Sequence, residues 1–221
     1  MEKTILFAGT GSLCTALVDE YLSRGNKVVS AVFDNQKQEP GKNLENSRQL
    51  RLPWAPGSSL SPRNIIMKGE SEMGQYSEAF LIFPSGRTGE SFHEISSAAI
   101  QKIIDYRVKS YLFFYKELLN YFIRKKEGEI NAILYSEEGE WQSPLNAGTF
   151  EMFKAVIHSS FAIYEREPFS ITGFESGSRD LEGYKEFILN QKEKESRTKN
   201  KFHKFSDKGL FTFSSQTKKK R

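Results

Sequence analysis

Short apolar runs alternate with longer stretches whose apolar positions recur at helical spacing, from Thr4 to about residue 177. Thr4–Ala8 is an apolar run that ends at glycines, as a buried strand would. Thr10 or Ser12 then caps a predicted helix whose apolar residues Leu13, Leu17, Val18 and Leu22 share one face. Gly25 stands where a helix C-terminus favours positive φ, and Lys27–Phe33 is a second run rich in β-branched residues. Strand, glycine turn, helix and strand within about 30 residues make a βαβ unit with a right-handed crossover.

The alternation continues. Gln49–Trp54 predicts a third strand, Ser61-Pro62 a helix start with Ser as cap, Arg63–Met67 a short helix, and Ala79–Pro84 a central strand. Ile103, Ile104, Val108, Tyr111, Leu112, Tyr115, Leu118, Leu119 and Phe122 mark one broad face of a long helix. Ile130–Tyr135 is the next strand, Phe150–Glu165 a helix, and Phe169–Phe174 a strand. Beyond Leu189 the chain turns charged and poor in aliphatics, with a late strand expected at Leu210–Phe213. Strands alternating with helices predict an α/β fold, a Rossmann-like doubly wound parallel sheet in a single domain over residues 1–190. Residues 191–221 read as a basic, charged extension.

Composition narrows the function classes. The 221 residues suffice for one α/β core. A single cysteine, Cys14, excludes an intrachain disulfide and fits a reducing compartment. No apolar run approaches the roughly 20 residues needed to span a bilayer, and Glu2-Lys3 leads straight into the first strand. The expectation is a cytoplasmic protein without a membrane partner. The net charge of +4 is unevenly spread: Lys192–Arg221 carries +8, leaving −4 on Met1–Gln191. A folded body that gripped nucleic acid should be basic; a basic tail on an acidic body speaks against that partner.

Gly9-Thr10-Gly11-Ser12-Leu13-Cys14 reads as G-x-G-x-x-C, one glycine short of the dinucleotide fingerprint. Its setting, after a strand and before a helix, places backbone N–H groups and a helix N-terminus where a pyrophosphate could sit. The plainer alternative is that any βαβ unit needs small residues at this turn.

The order of segments over Thr4–Gly177 resembles the short-chain dehydrogenase/reductase family. The turn at Phe7–Cys14 is similar to the family's T-G-x-x-x-G-x-G, and Leu81–Gly86 takes the place of the strand ending in N-N-A-G. Arg107–Phe122 resembles the long helix carrying the active-site asparagine. Tyr135–Gly139 falls on S-S-x-x-G, Phe150–Lys154 on Y-x-x-x-K, and Ser176-Gly177 on P-G. The resemblance implies a nicotinamide dinucleotide, NAD or NADP, a carbonyl or hydroxyl small-molecule substrate, and a homo-oligomer of the kind this family often forms. It assigns Gly9, Thr10, Gly11, Ser12 and Leu13 to the pyrophosphate, Ser85 and Gly86 to the cofactor, Lys154 to the nicotinamide ribose and Ser136 to a carbonyl oxygen. Asp34 would accept from a ribose 2′-OH and disfavour a 2′-phosphate, a slight preference for NAD.

The departures fall where the chemistry should be. Phe150 replaces the family's acid/base tyrosine and Arg107 its asparagine, so proton transfer by the usual route is lost. General acid–base catalysis typically supplies 10²–10⁴-fold. Tyr135 belongs on the opposite strand face from Ser136 and is a poor substitute. His93, His158 and His203 lie far apart, with no spacing of a metal site. Ser136 lacks a G-x-S-x-G elbow, and Glu137, Glu138 and Glu140 read as a solvated loop. The leading readings are a dinucleotide-binding oxidoreductase with weakened or altered catalysis and a non-catalytic binding or scaffold protein on the same fold; a third, behind both, is a basic tail that recruits nucleic acid to an otherwise acidic body.

Overall fold

The computed structural model describes residues 2–33, 47–84, 91–135, 144–194 and 200–206. In chain order these form β1 (Thr4–Gly9), α1 (Ser12–Ser23), β2 (Lys27–Phe33), β3 (Gln49–Trp54), α2 (Ser61–Met73), β4 (Tyr76–Pro84), α3 (Ser97–Ile103), α4 (Ser110–Lys125), β5 (Glu129–Tyr135), α5 (Pro144–Ile163), β6 (Ser170–Ser176), α6 (Leu181–Glu193) and β7 (Lys201–Phe205). A π-helical turn, Ile104–Lys109, joins α3 to α4 without a break.

All neighbouring strands are parallel, in the order β3-β2-β1-β4-β5-β6-β7. The chain winds outward from β1 through β2 to β3, then returns to β4 on the other side of β1. The order therefore reverses between β1 and β4, and ligands of open α/β sheets bind at such a point, beyond the strands' C-terminal ends.

Strand residues alternate between two cores. Leu6, Ala8, Leu81 and Phe83 face α2, α4 and α5, where Tyr111, Phe114, Phe153 and Ile157 meet them. Ile5, Phe7, Phe80 and Ile133 face α1 and α6, against Leu13, Leu17, Tyr184 and Ile188. A parallel sheet covered on both faces reads as continuous apolar runs rather than alternation, and Ala79–Phe83 is buried throughout.

Several expectations need adjusting. Ser61 is the first residue of α2, not its cap; its Oγ accepts instead from the Ala55 N–H at 3.0 Å. Residues 181–193 form a helix and 201–205 a seventh strand, neither of which the sequence reading predicted, the strand lying within the charged extension. Lys192, counted with the basic extension, lies in the last turn of α6 and pairs with Glu78 at 2.9 Å and with Glu129. Leu210–Phe213 lies outside the described residues.

Candidate functional site

The N-terminus of α1 sits at the strand-order reversal. Its cap residue is Gly11, with φ 98°, a conformation that glycine adopts without steric cost. Neither Thr10 nor Ser12 caps the helix as expected; no side chain does, and the first turn holds no acidic residue. The Gly11 carbonyl accepts the first helical bond, from the Thr15 N–H at 3.2 Å. The N–H groups of Ser12, Leu13 and Cys14 thus lie ahead of the intrahelical bonds, at the positive end of the helix dipole.

Gly9 has a structural reason of its own. A Cβ there would stand 2.6 Å from the Ile82 carbonyl oxygen, so glycine lets β1 approach β4. Leu13 and Cys14 place their side chains in the core, and burial pushes the Cys14 thiol up to about 12, far from thiolate reactivity. Tyr135 also turns toward the α1 side, its hydroxyl donating to the Thr10 carbonyl at 3.4 Å.

Beside the helix N-terminus a crevice of about 130 Å³ opens between Thr10, Phe33, Phe83, Pro84, Tyr106, Arg107 and Tyr111. Phe33 stacks on Trp54 with ring centroids 4.3 Å apart, which forms one apolar wall. The π-helical turn supplies the opposite wall, and such turns occur often at functional sites. Arg107 lies 6.0 Å from the Phe83 ring centroid and donates to Asn146 Oδ1 at 3.3 Å. Burial lowers its pKa, partly offset by Tyr111.

Toward α5, Phe150 is half-buried and packs against the core, its ring centroid 6.4 Å from that of Phe83. Lys154 follows one helical turn later. Its Nζ lies 2.6 Å from Glu175 Oε2, while Lys204 approaches the other oxygen at 3.9 Å. The hydrogen bond to Glu175 raises the lysine's pKa, so the ammonium form is held more firmly. Glu175, next to Ser176-Gly177, escaped the sequence reading because a lone carboxylate near a strand end carries no pattern.

Thr10 and Arg107 thus share the crevice, and Lys154 joins Glu175. Asp34, Ser85, Gly86 and Ser136 lie outside the described residues, as do Glu137, Glu138 and Glu140. Among the described residues no group of three His, Cys, Asp or Glu side chains could hold a metal ion. No helix of these residues is long and apolar enough to cross a membrane.

No protein-family model matches the chain, and no curated protein matches its sequence. Solved structures do share its fold. A short chain dehydrogenase from Bacillus anthracis superposes with a TM-score of 0.78 at 10% identity, over 92% of this chain and 95% of that one. Serine dehydrogenase from Escherichia coli gives 0.76 at 13% identity, over 91% and 96%. A 3-ketoacyl-(acyl-carrier-protein) reductase from Brucella melitensis, solved as a complex with NADH, gives 0.73 at 11% identity, over 91% and 96%. The chain has the fold of the short-chain dehydrogenases: one Rossmann-like domain built on a seven-stranded parallel sheet.

Proposed function

We propose that the protein binds a nicotinamide dinucleotide across the C-terminal ends of its strands, in an oxidoreductase-type site that lacks the tyrosine proton donor. The observation that carries this reading is the α1 N-terminus: glycine-capped, with no capping side chain and no acid in its first turn, at the point where strand order reverses. Its N–H groups suit a pyrophosphate, and one protein of the same fold is known with NADH.

When bound, the dinucleotide supplies or accepts hydride. The chain's own residues divide the remaining work. The Ser12–Cys14 amides hold the pyrophosphate, and Lys154, kept as an ammonium, donates to a ribose hydroxyl while Glu175 fixes its position. Ser136 donates to the oxygen of a carbonyl or hydroxyl substrate. Asp34 favours NAD through the ribose 2′-OH. Phe150 keeps the ring of the missing tyrosine but has no proton to transfer, so turnover is slow or draws its proton from water or substrate. A second copy of the chain is the expected macromolecular partner.

The Lys154–Glu175 pair favours one further reading, a binding protein without turnover, because the lysine's ammonium is already engaged by a carboxylate. Thermal melts with NADH and NADPH test binding. A ligand at about 100 times its Kd adds roughly 2.7 kcal/mol. At about 2–4 °C per kcal/mol for a chain of this size, the midpoint rises by about 5–10 °C. No shift with either dinucleotide refutes the proposal; a shift without turnover on any carbonyl supports the binding protein.

A further inference from the structure

We propose that the crevice beside the π-helical turn is an oxyanion subsite, in which Arg107 and the Tyr111 hydroxyl grip a phosphoryl or carboxylate group. The inference rests on the dinucleotide reading for its biological setting but on different atoms. Arg107 is half-buried and lines the crevice, and among the described residues no carboxylate pairs with it. Among the described residues it donates to a neutral amide oxygen at 3.3 Å and lies over an aromatic face. A half-buried guanidinium that no carboxylate of the described residues pairs with leaves part of its desolvation cost uncompensated by them, and its planar fork matches oxyanions in bidentate geometry.

Tyr111 supplies the second, independent observation. Its side chain is 2% exposed and lines the same crevice. The hydroxyl faces Thr10 but makes no well-formed hydrogen bond there. Buried hydroxyls are nearly always satisfied, so one left unpaired beside a cation and an opening calls for a ligand acceptor. The π-helical turn explains how consecutive residues Tyr106 and Arg107 both reach one crevice. Size then limits the occupant. The crevice's volume of about 130 Å³ lies below the ~300–1,000 Å³ of whole-ligand pockets and suits a group the size of a phosphate or carboxylate.

Two sources present such a group: the dinucleotide's own phosphates, and an anionic substrate. Calorimetric titration of the full chain with inorganic phosphate and with malonate, with and without saturating NADH or NADPH, separates them. For the wild type at low salt, binding of at least one of these anions is expected. It should weaken about tenfold or more in Arg107→Gln and several-fold in Tyr111→Phe, while Arg107→Lys retains part of it. Thermal melts of each variant confirm folding. If the source is the dinucleotide, the anion competes with it and Arg107→Gln weakens dinucleotide binding. If the source is substrate, anion and dinucleotide bind together and Arg107→Gln leaves the dinucleotide unaffected. Anion binding without any dinucleotide binding removes the cofactor reading and keeps the subsite. Equal anion affinity in wild type and Arg107→Gln, or no anion binding at all, overturns it.

Discussion

Replacing Lys192 by Met should destabilise the fold heavily while leaving the candidate site intact. Lys192 is 12% exposed in its side chain and lies between Glu78, 9% exposed, at 2.9 Å and Glu129, 21% exposed. Thr172 donates to Glu129 at 3.0 Å, and Lys3 approaches Glu78 only at 3.7 Å from a half-exposed position. Removing the lysine strands two largely buried carboxylates near the N-terminal ends of β4 and β5, the end of the sheet opposite the crevice. Breaking such a buried arrangement costs about 3–5 kcal/mol, which lowers Tm by roughly 6–20 °C at ~2–4 °C per kcal/mol. The pH dependence supplies a second arm. Burial lowers the lysine's pKa, but the two carboxylates outweigh it and the net shift is upward. The folded value therefore exceeds the unfolded one of about 10.4. The stabilisation is complete below about pH 10.4 and is lost as pH rises through the folded value. Circular-dichroism melts from pH 7 to 11 should show a constant gap between wild type and Lys192→Met up to about pH 10.4 and the start of its narrowing above that. A variant within about 2 °C of wild type at pH 7, or a gap that already narrows well below about pH 10.4, would refute the reasoning.

Gly9→Ala drives a Cβ to 2.6 Å from the Ile82 carbonyl and should cost about 1–3 kcal/mol as β1 and β4 separate; an unchanged urea midpoint would show that the strands yield freely. Phe150→Tyr restores a phenol one helical turn before Lys154. With NADH or NADPH and a panel of carbonyls it should raise turnover by about 10²–10⁴-fold if the rest of the site is competent. Steady-state assays decide this, and an inactive variant that still binds dinucleotide would identify a binding protein. Glu175→Gln removes the carboxylate that raises the Lys154 pKa, so a ¹³C-labelled lysine titration should show that value falling. The pair is partly exposed, 31% and 14%, so stability should change by no more than about 1 kcal/mol. With Glu175 no longer fixing its position, Lys154 should bind ribose more weakly, by up to about fivefold on the same scale, as calorimetry would report.

Legibility followed the physics of each segment. Strands buried on both faces announced themselves because a parallel sheet demands unbroken apolar runs, as at Ala79–Phe83; Lys27–Phe33 and the edge strand Gln49–Trp54, whose burial alternates, have the ends the sequence predicted. The helix after β5 was found but begins at Pro144, ahead of the first strongly apolar position. α6 and β7 were missed because their polarity is misleading. Lys192 and Glu186 mark a charged stretch in sequence, yet Tyr184, Ile188 and Leu189 bury one face. β7, Lys-Phe-His-Lys-Phe, is an edge strand whose lysines read as solvent-exposed tail. At the site, the glycine turn was legible as a turn, but capping by Gly11 rather than by Thr10 or Ser12 depends on a backbone angle that no residue pattern encodes. The Lys154–Glu175 and Arg107–Asn146 contacts join residues 21 and 39 positions apart. Only the register of β6 against α5 and the winding of the π-helical turn bring them together.

The central claim, a dinucleotide pyrophosphate seated on the first turn of α1, is tested most directly by calorimetric titration of NADH into wild type and Ser12→Asp. Ser12 is exposed and is the first residue of the helix. An aspartate there complements the helix dipole and should leave Tm unchanged or slightly raised, by about 0.3–1 kcal/mol of stability. The same charge opposes a bound pyrophosphate. The account predicts one NADH per chain in the wild type and at least about tenfold weaker binding in a variant no less stable. Equal affinity in the two proteins, or no binding to wild type, would contradict it.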